Sequence, residues 1–517
     1  SRNTSAPLKL IGMRSLILAF LALSALPASA QTSPSVSELK ERRHALMQKI
    51  GLSGILLLFA AEGRVYAADV DYPYRQENNF LYLTGLQEEG AVLALIPGAT
   101  DDRELIFLPT KERRAEVFTG AVVKPEAVTA ATGISRVLPL ADLPALLLTI
   151  APASRSALAS LGTATKIEKP RTEAWQAQYK TLFDAANDEQ ANLYLLLPAT
   201  TQSAEYRQEQ ALASNIASIA SGFTLHNAMP LLREMRLIKS PTELAAIQRA
   251  IDISGEGFAR AFQLTGPGAA ESDIQAEFDR VYAHHHARWG YPTIAASGSN
   301  GTTLHYNSNA AEMPAQGTMV LDAGAEYAQY SADVTRTLPI TGKFTPEQAA
   351  LYRIVYSAQQ AGITASRPGA EPGGGLKLDP GTVQSVCVEV IRKGLLQLGL
   401  ITSVTNDEYK NWFPHGVSHQ LGMNVHDLSG RKQKLAPGMV VTMEPGIYIR
   451  PDALEALPKS PENDKFIAAV RPAFEKYKGI GVRIEDDILI TEGAPKVLSA
   501  RIPSKLEEVE AAMVRHR

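Results

Sequence analysis

Four carboxylates stand where strands ordinarily avoid charge. Asp322 ends the run Thr318-Met319-Val320-Leu321, and Asp333 opens onto Val334-Thr335-Arg336-Thr337. Glu444 follows Val440-Val441-Thr442-Met443, and Glu485 follows Gly481-Val482-Arg483-Ile484. A buried charge is costly unless it is paired, so each acid asks for a partner. Asp322 and Asp333 are 11 residues apart, an odd separation that one continuous strand would split between opposite faces. A hairpin turning near Tyr327-Ala328 would instead set them opposite each other. Like charges so placed repel unless a cation sits between them or one carboxyl is protonated. Singly, these acids have ordinary explanations: exposed strand positions for the aspartates, and an ion pair such as Arg483 with Glu485.

Histidine adds a second signal. Of ten histidines, His305, His415, His419 and His426 sit in Gly-rich, strand-like settings with acids close by. His415 and His419, four apart, share a face of either a helix or a strand, and Gly416 and Gly422 favour strand and turn. The spacing alone is a common accident. A helical zinc pair would carry Glu after the first His, and here Gly416 stands there. The run His284-His285-His286 reads as a solvated helix end, and His44 and His226 read as surface or packing residues. Together, Asp322, Asp333, Glu444 and Glu485 with His419 form a candidate two-metal site, four negative charges against two divalent ions. Oxygen-rich donors with one imidazole suit manganese or a similar ion. Such a pair supplies a hydroxide nucleophile at neutral pH.

The elements that must position these groups follow from pattern. The runs Gly54-Ile55-Leu56-Leu57-Leu58-Phe59 and Ala91-Val92-Leu93-Ala94-Leu95-Ile96 are apolar at nearly every position, as strands buried on both faces are, so residues 31–229 read as an α/β domain without a catalytic cluster. Ser240-Pro241-Thr242-Glu243 and Thr345-Pro346-Glu347-Gln348 both carry a capping residue, a first-turn Pro and a Glu or Gln able to close a capping box. They start helices near 240–262 and 345, with partner helices near 272–287 and 382–398. Strands are expected around 318–325, 330–338, 439–449 and 481–490, with 451–478 an excursion between two of them. Two helix pairs, each beside a strand pair, hint at an internal duplication within a domain of residues 230–517.

The 517 residues carry a net charge of -3, which argues against a general nucleic-acid binder, and one cysteine, Cys387, which excludes an internal disulfide framework. Met13-Arg14, the apolar run Leu16 to Leu26 and Ala28-Ser29-Ala30 have the pattern of a secretory leader cut before Gln31. Residues 1–30 therefore read as an upstream extension and signal peptide. No Cys follows the run, so no lipid anchor is expected. The expectation is an exported protein, periplasmic or secreted.

The motifs Leu304-His305-Tyr306-x-x-Asn309, Leu321-Asp322-x-Gly324, Ser331-x-Asp333-x-Thr335-Arg336-Thr337, His415-Gly416-x-Ser418-His419-x-Leu421-Gly422, Val425-His426-Asp427, Glu444-Pro445-Gly446-x-Tyr448 and Gly481-x-Arg483-x-Glu485-Asp486 are specific in order and spacing. They resemble the aminopeptidase P and prolidase branch of the pita-bread-fold metallopeptidases over nearly the whole mature chain. Tyr72-x-Tyr74-Arg75-Gln76-x-Asn78-x-Phe80-x-Tyr82-Leu83-Thr84-Gly85 resembles the N-terminal domain of aminopeptidase P in particular. The resemblance implies an α/β chain with a pita-bread catalytic domain behind the N-terminal domain. It implies five ligands, Asp322, Asp333, His419, Glu444 and Glu485, for two divalent ions, manganese before cobalt or zinc, with Asp333 and Glu485 bridging. Glu444 would also exchange protons with the attacking hydroxide. His305, His415 and His426 would line the substrate side, and Tyr448 and Arg483 would support. No ligand is missing, which counts against the metal-free branches of the fold. The implied activity is release of the N-terminal residue from peptides with proline second, with a prolidase or a non-catalytic peptide-binding module as alternatives. A homo-oligomer, dimer or tetramer, is expected. The long 451–478 excursion departs from the family pattern.

Overall fold

The computed structural model describes residues 32–514 except 111–115, 119, 121–122, 151–168, 200–204, 220–221, 374–377 and 431. The leader expected over 13–30 and its cleavage point lie outside the described residues. Among those described, no helix is long and apolar enough to cross a membrane.

The strand Gly54–Phe59 is apolar throughout because it lies near the centre of a six-stranded mixed sheet covered on both sides. Across the sheet the order is Arg136–Pro139, Glu104–Leu108, Val92–Leu95, Gly54–Phe59, Ala191–Leu195, Phe223–Asn227. Alternate residues part to the two faces. Ile55 and Leu57 pack with Trp175, Tyr179 and Leu182 of the helices Lys169–Gln178 and Lys180–Asn187 and their junction. Leu56 and Leu58 join Leu46 of the helix Val36–Ile50 and Phe80 and Leu83 of the helix Asn78–Thr84, and that apolar core runs on without a break into the C-terminal part.

The helix Met229–Leu237 leads into that part. Both expected capping boxes form: Ser240 starts the helix Pro241–Leu264 and Thr345 starts Pro346–Ala365. Their partners are Glu271–His284 and Val383–Leu398. Each pair accompanies a strand ladder. The strand Thr318–Ala323 pairs antiparallel with Val334–Pro339, and Val440–Met443 pairs antiparallel with Asp486–Leu489. A bridge between Thr335 and Glu485 joins the two ladders, so both halves open onto one shared cleft. The 451–478 excursion is the loop of a hairpin: Gly446–Tyr448 pairs with Gly481–Arg483, and the intervening chain forms the helix Pro461–Tyr477. Phe474 of that helix packs against Trp412, ring centroids 6.0 Å apart.

The first hairpin differs from expectation by one residue. Its turn is Ala328-Gln329, both in the left-handed region (φ 51° and 60°), between Tyr327 and Tyr330, which face each other. Asp322 is therefore opposite Thr335, not Asp333. Asp333 is two residues before Thr335, which keeps both aspartates on one face as diagonal neighbours.

Candidate metal centre

Each ladder delivers two acids to the cleft. In the first, Asp322 is near the end of the outgoing strand and Asp333 immediately precedes the return strand. In the second, Glu444 immediately follows the outgoing strand and Glu485 immediately precedes the return strand. The segment 417–421 runs extended beside Val440–Met443, with Glu444 N–H donating to Val417 O and Leu421 N–H to Val440 O. His419 is thereby set opposite Thr442, whose face Glu444 shares. One ligand atom each from Asp333, His419 and Glu485 lies within 4.8 Å of the others. His419 Nε2 is 3.3 Å from Asp333 Oδ2 and 3.6 Å from Glu444 Oε1.

The fourth acid is held from behind. Arg483 Nη2 donates to Asp322 Oδ2 at 2.6 Å, and Tyr291 Oη donates to Asp322 Oδ1 at 2.6 Å. The ion pair between neighbours Arg483 and Glu485 therefore gives way to one across the cleft. Thr335 Oγ1 donates to Glu485 Oε2 at 2.7 Å, and Asp487 Oδ2 accepts the backbone N–H of Asp333 at 3.1 Å.

Electrostatics show a cluster short of positive charge. Burial, then Asp333, Glu444 and Asp322, push Glu485 well above the carboxylate range. Burial raises Asp322 against the pull of Arg483. Burial, opposed by His419 and Arg483 and reinforced by Asp333 and Asp322, brings Glu444 to about 7. Burial alone would depress His419, yet Asp333 and Glu444 raise it to about 9. His419 Nδ1 donates to Gln420 O at 3.0 Å, which leaves Nε2, the atom facing the acids, to bind a cation. Oxygen donors, one imidazole and several negative charges fit a pair of divalent ions.

The other three histidines differ in exposure. His415 spends both ring nitrogens on protein: Nδ1 donates to Gly416 O at 2.7 Å, and Nε2 accepts from Tyr448 Oη at 2.9 Å. Burial, then Arg483, lowers it to about 3, so it stays neutral. Tyr448 Oη accepts in turn from Arg483 Nη1 at 3.0 Å, which makes one chain from His415 to Asp322. The exposed His426 ring packs edge-on against His419, centroids 4.3 Å apart. His305 is also exposed, close enough that its charge lowers both His415 and His426.

Three residues escaped sequence reasoning. Tyr291 and Asp487 support aspartates, as above. Glu271, fully buried, accepts from Ser297 N–H and Oγ, Asn300 Nδ2, Tyr306 Oη and Ala311 N–H, and so pins the loop that carries His305. The one signal for Glu271 was Tyr306, the neighbour of His305. The run 284–286 ends its helix as expected, with His285 Nε2 2.8 Å from Glu256.

Fold and site define a class. The chain belongs to metallopeptidase family M24, whose model matches residues 245–492, and it carries an aminopeptidase P N-terminal domain, matched over residues 39–158. It is a two-domain α/β protein of pita-bread type and a metal-dependent peptidase by family. Among relatives, it is 32% identical to the Xaa-Pro aminopeptidase of Escherichia coli, over 93% of this chain and 99% of that protein. It is 29% identical to human Xaa-Pro aminopeptidase 3, over 93% of this chain and 87% of that one. Among solved structures, Escherichia coli aminopeptidase P with the inhibitor Pro-Leu superposes with a TM-score of 0.73 at 31% identity, covering 93% of this chain and 99% of that chain.

Proposed function

We propose that this protein is an Xaa-Pro aminopeptidase, releasing the N-terminal residue from peptides whose second residue is proline. The observation that carries this reading is the convergence of Asp322, Asp333, Glu444, Glu485 and His419 at one cleft of a family M24 chain that also has the aminopeptidase P N-terminal domain. These five residues would hold two divalent ions, and Asp333, His419 and Glu485 already offer one ligand atom each within 4.8 Å of one another. Their oxygen-rich set supports manganese over cobalt or zinc. The chemistry that such ions supply when bound is polarisation of the scissile carbonyl and a hydroxide at neutral pH.

The remaining work falls to the chain. An Xaa-Pro bond has no amide N–H, so the proline nitrogen must gain a proton as it leaves. Glu444, raised by burial to about 7, is the group that takes a proton at its carboxylate and returns it to that nitrogen; bound cations would draw its titration downward. His305 and His426, exposed beside the acids, would donate to the developing oxyanion. His415, held neutral and bonded to Tyr448, would keep the Tyr448–Arg483–Asp322 chain in place behind it. The free α-ammonium of the substrate would be anchored beside this acidic cluster.

The test is product analysis on Xaa-Pro, Xaa-Pro-Xaa, an N-acetylated Xaa-Pro-Xaa and an Xaa-Ala control with reconstituted metal. Release of the first residue from the two free Xaa-Pro peptides, and not from the acetylated one, is expected. Hydrolysis confined to the dipeptide would make the protein a prolidase. Export follows the same proposal: the pattern over 13–30 supports a mature chain beginning at Gln31 outside the cytoplasm. A chain recovered from the cytoplasm with Met13 intact would sink it. The exposed apolar ribbon residues Val65, Tyr66 and Val70 support a homo-oligomer, checked by light scattering.

A further inference from the structure

The N-terminal segment 72–85 carries polar residues with no assigned task. Gln76 is spent inside its own domain, accepting from Ala61 N–H and donating to Leu86 O. Arg75, Asn78 and Asn79 are not. Arg75 forms a two-pronged ion pair with Glu326, 2.9 and 2.6 Å, and also donates to Met423 O at 3.2 Å. Asn78 Nδ2 donates to the same carbonyl at 3.1 Å. Asn79 Oδ1 accepts from Arg236 Nη1 at 2.7 Å, and Arg236 Nη2 donates to Asn424 Oδ1 at 2.8 Å and to Asp427 Oδ1 at 2.6 Å. Lys239 Nζ donates to Asp427 Oδ2 at 3.1 Å. Arg236, Lys239 and Asp427 are all nearly fully buried.

Apart from the Gln76 bonds and the Arg75–Glu326 pair, these bonds lead to one loop, 422–427, which runs from His419 to His426. Two observations bear on how the loop is held. Met423 and Val425 pack into the core, but Asn424 and His426 are exposed, so the His426 side chain is not itself enclosed. Asp427 also folds back so tightly that a Cβ at Gly422 would lie 2.1 Å from Asp427 Oδ2. Glycine is therefore required there by close approach, whatever its φ.

We infer that Asn79, Arg236 and Asp427, together with Arg75 and Asn78 on the Met423 carbonyl, form an interdomain clamp through which the N-terminal domain positions His426. The clamp residues touch no reacting atom; they are positioning residues, and they act by fixing where the imidazole stands beside His419. A misplacement of about 1 Å at such a group costs up to about a hundredfold in rate. The clamp deepens the aminopeptidase reading and rests on it.

The experiment is a double-mutant cycle on the metal-loaded full chain with an Xaa-Pro-Xaa peptide. Asn78→Ala and Arg236→Lys are each made alone and in a His426→Ala background, with metal content and melting temperature recorded for every protein. Each single clamp variant should keep both ions and KM within about threefold and lose about ten- to a hundredfold in kcat. In the His426→Ala background the same change should cost less than about twofold, because the group being positioned is gone. Should Arg236→Lys fail to fold, Asn78→Ala and Arg75→Gln, which leave the buried Arg236–Asp427 pair intact, complete the cycle. Equal losses with and without His426 overturn the clamp and leave the aminopeptidase reading standing. A wild-type protein without Xaa-Pro hydrolysis overturns both.

Discussion

The two halves of the catalytic domain are alike in frame and unlike in chemistry. Each has a capped helix, a partner helix and an antiparallel ladder, and each places one acid at the end of the outgoing strand and one at the start of the return strand. The first half, whose strands meet through the two-residue turn Ala328-Gln329, adds to the cleft one exposed histidine, His305. The second half adds the extended segment with His415, His419 and His426, and the buried Arg483–Tyr448 pair. The duplicated frame supplies negative charge for metal. Apart from Glu444, which also carries the proton, the groups that would face the reacting carbonyl come from segments that the halves do not share.

The largest expected effect tests the shared frame. Asp333→Asn and Glu485→Gln remove one matching acid from each half, and both should lose metal and about a thousandfold or more in turnover, because polarisation by the ions is worth several kcal/mol. Metal analysis beside activity decides it. Full occupancy with near-normal turnover in either variant breaks the pairing of the halves.

Next come the unshared histidines. His305→Ala and His426→Ala should keep both ions and lose roughly 10²–10⁴-fold in kcat. Metal falling in step with activity would make them ligands.

A smaller effect isolates His415. Its ring is neutral down to about 3 when folded but takes a proton near 6.5 when unfolded. Between those values the unfolded chain binds more protons. This contribution to stability, full above about pH 6.5, therefore drains as pH falls toward 3, at up to about 1.4 kcal/mol per pH unit. Urea unfolding from pH 7 to 4.5 should decline more steeply for the wild type than for His415→Asn. Parallel declines would mean the ring is not held neutral.

The smallest effect separates the two caps. Thr345→Ala should cost about 1 kcal/mol. Ser240→Ala should cost more, by about 0.5–1.5 kcal/mol, since the Ser240 hydroxyl also donates to Glu38 at 2.7 Å across the domain junction. Equal shifts in denaturant midpoint would show that this junction bond contributes nothing.

What could be read from the sequence was whatever leaves a local mark. Buried acids at the ends of apolar runs pointed to Asp322, Asp333, Glu444 and Glu485, and Ser240 and Thr345 announced their helices. The hairpin register slipped because Ala328 and Gln329 adopt left-handed backbone without the Gly or Asn that normally signals such a turn. Gln329 instead donates its side-chain amide to Gln76 O and Asn78 Oδ1 in the other domain. Arg483 looked set to pair with Glu485, two residues away, but reaches Asp322, 161 residues distant. The grip of Asn78 on Met423 spans 345 residues. Periodicity and capping carry no information at that range.

The buried Arg236–Asp427–Lys239 knot also dictates how the molecule can be recombined. A chimera that joins the N-terminal domain of one relative to the catalytic domain of another is most naturally spliced at the Met229–Leu237 helix. A cut after Arg236 would take Arg236 from one parent and Asp427 from the other, and a mismatch there leaves a buried charge without its counter-ion, at about 3–5 kcal/mol. The workable seam lies before Arg236. There the catalytic parent keeps Arg236, Lys239 and Asp427 as a set, and the N-terminal parent need supply only the asparagine that accepts from Arg236.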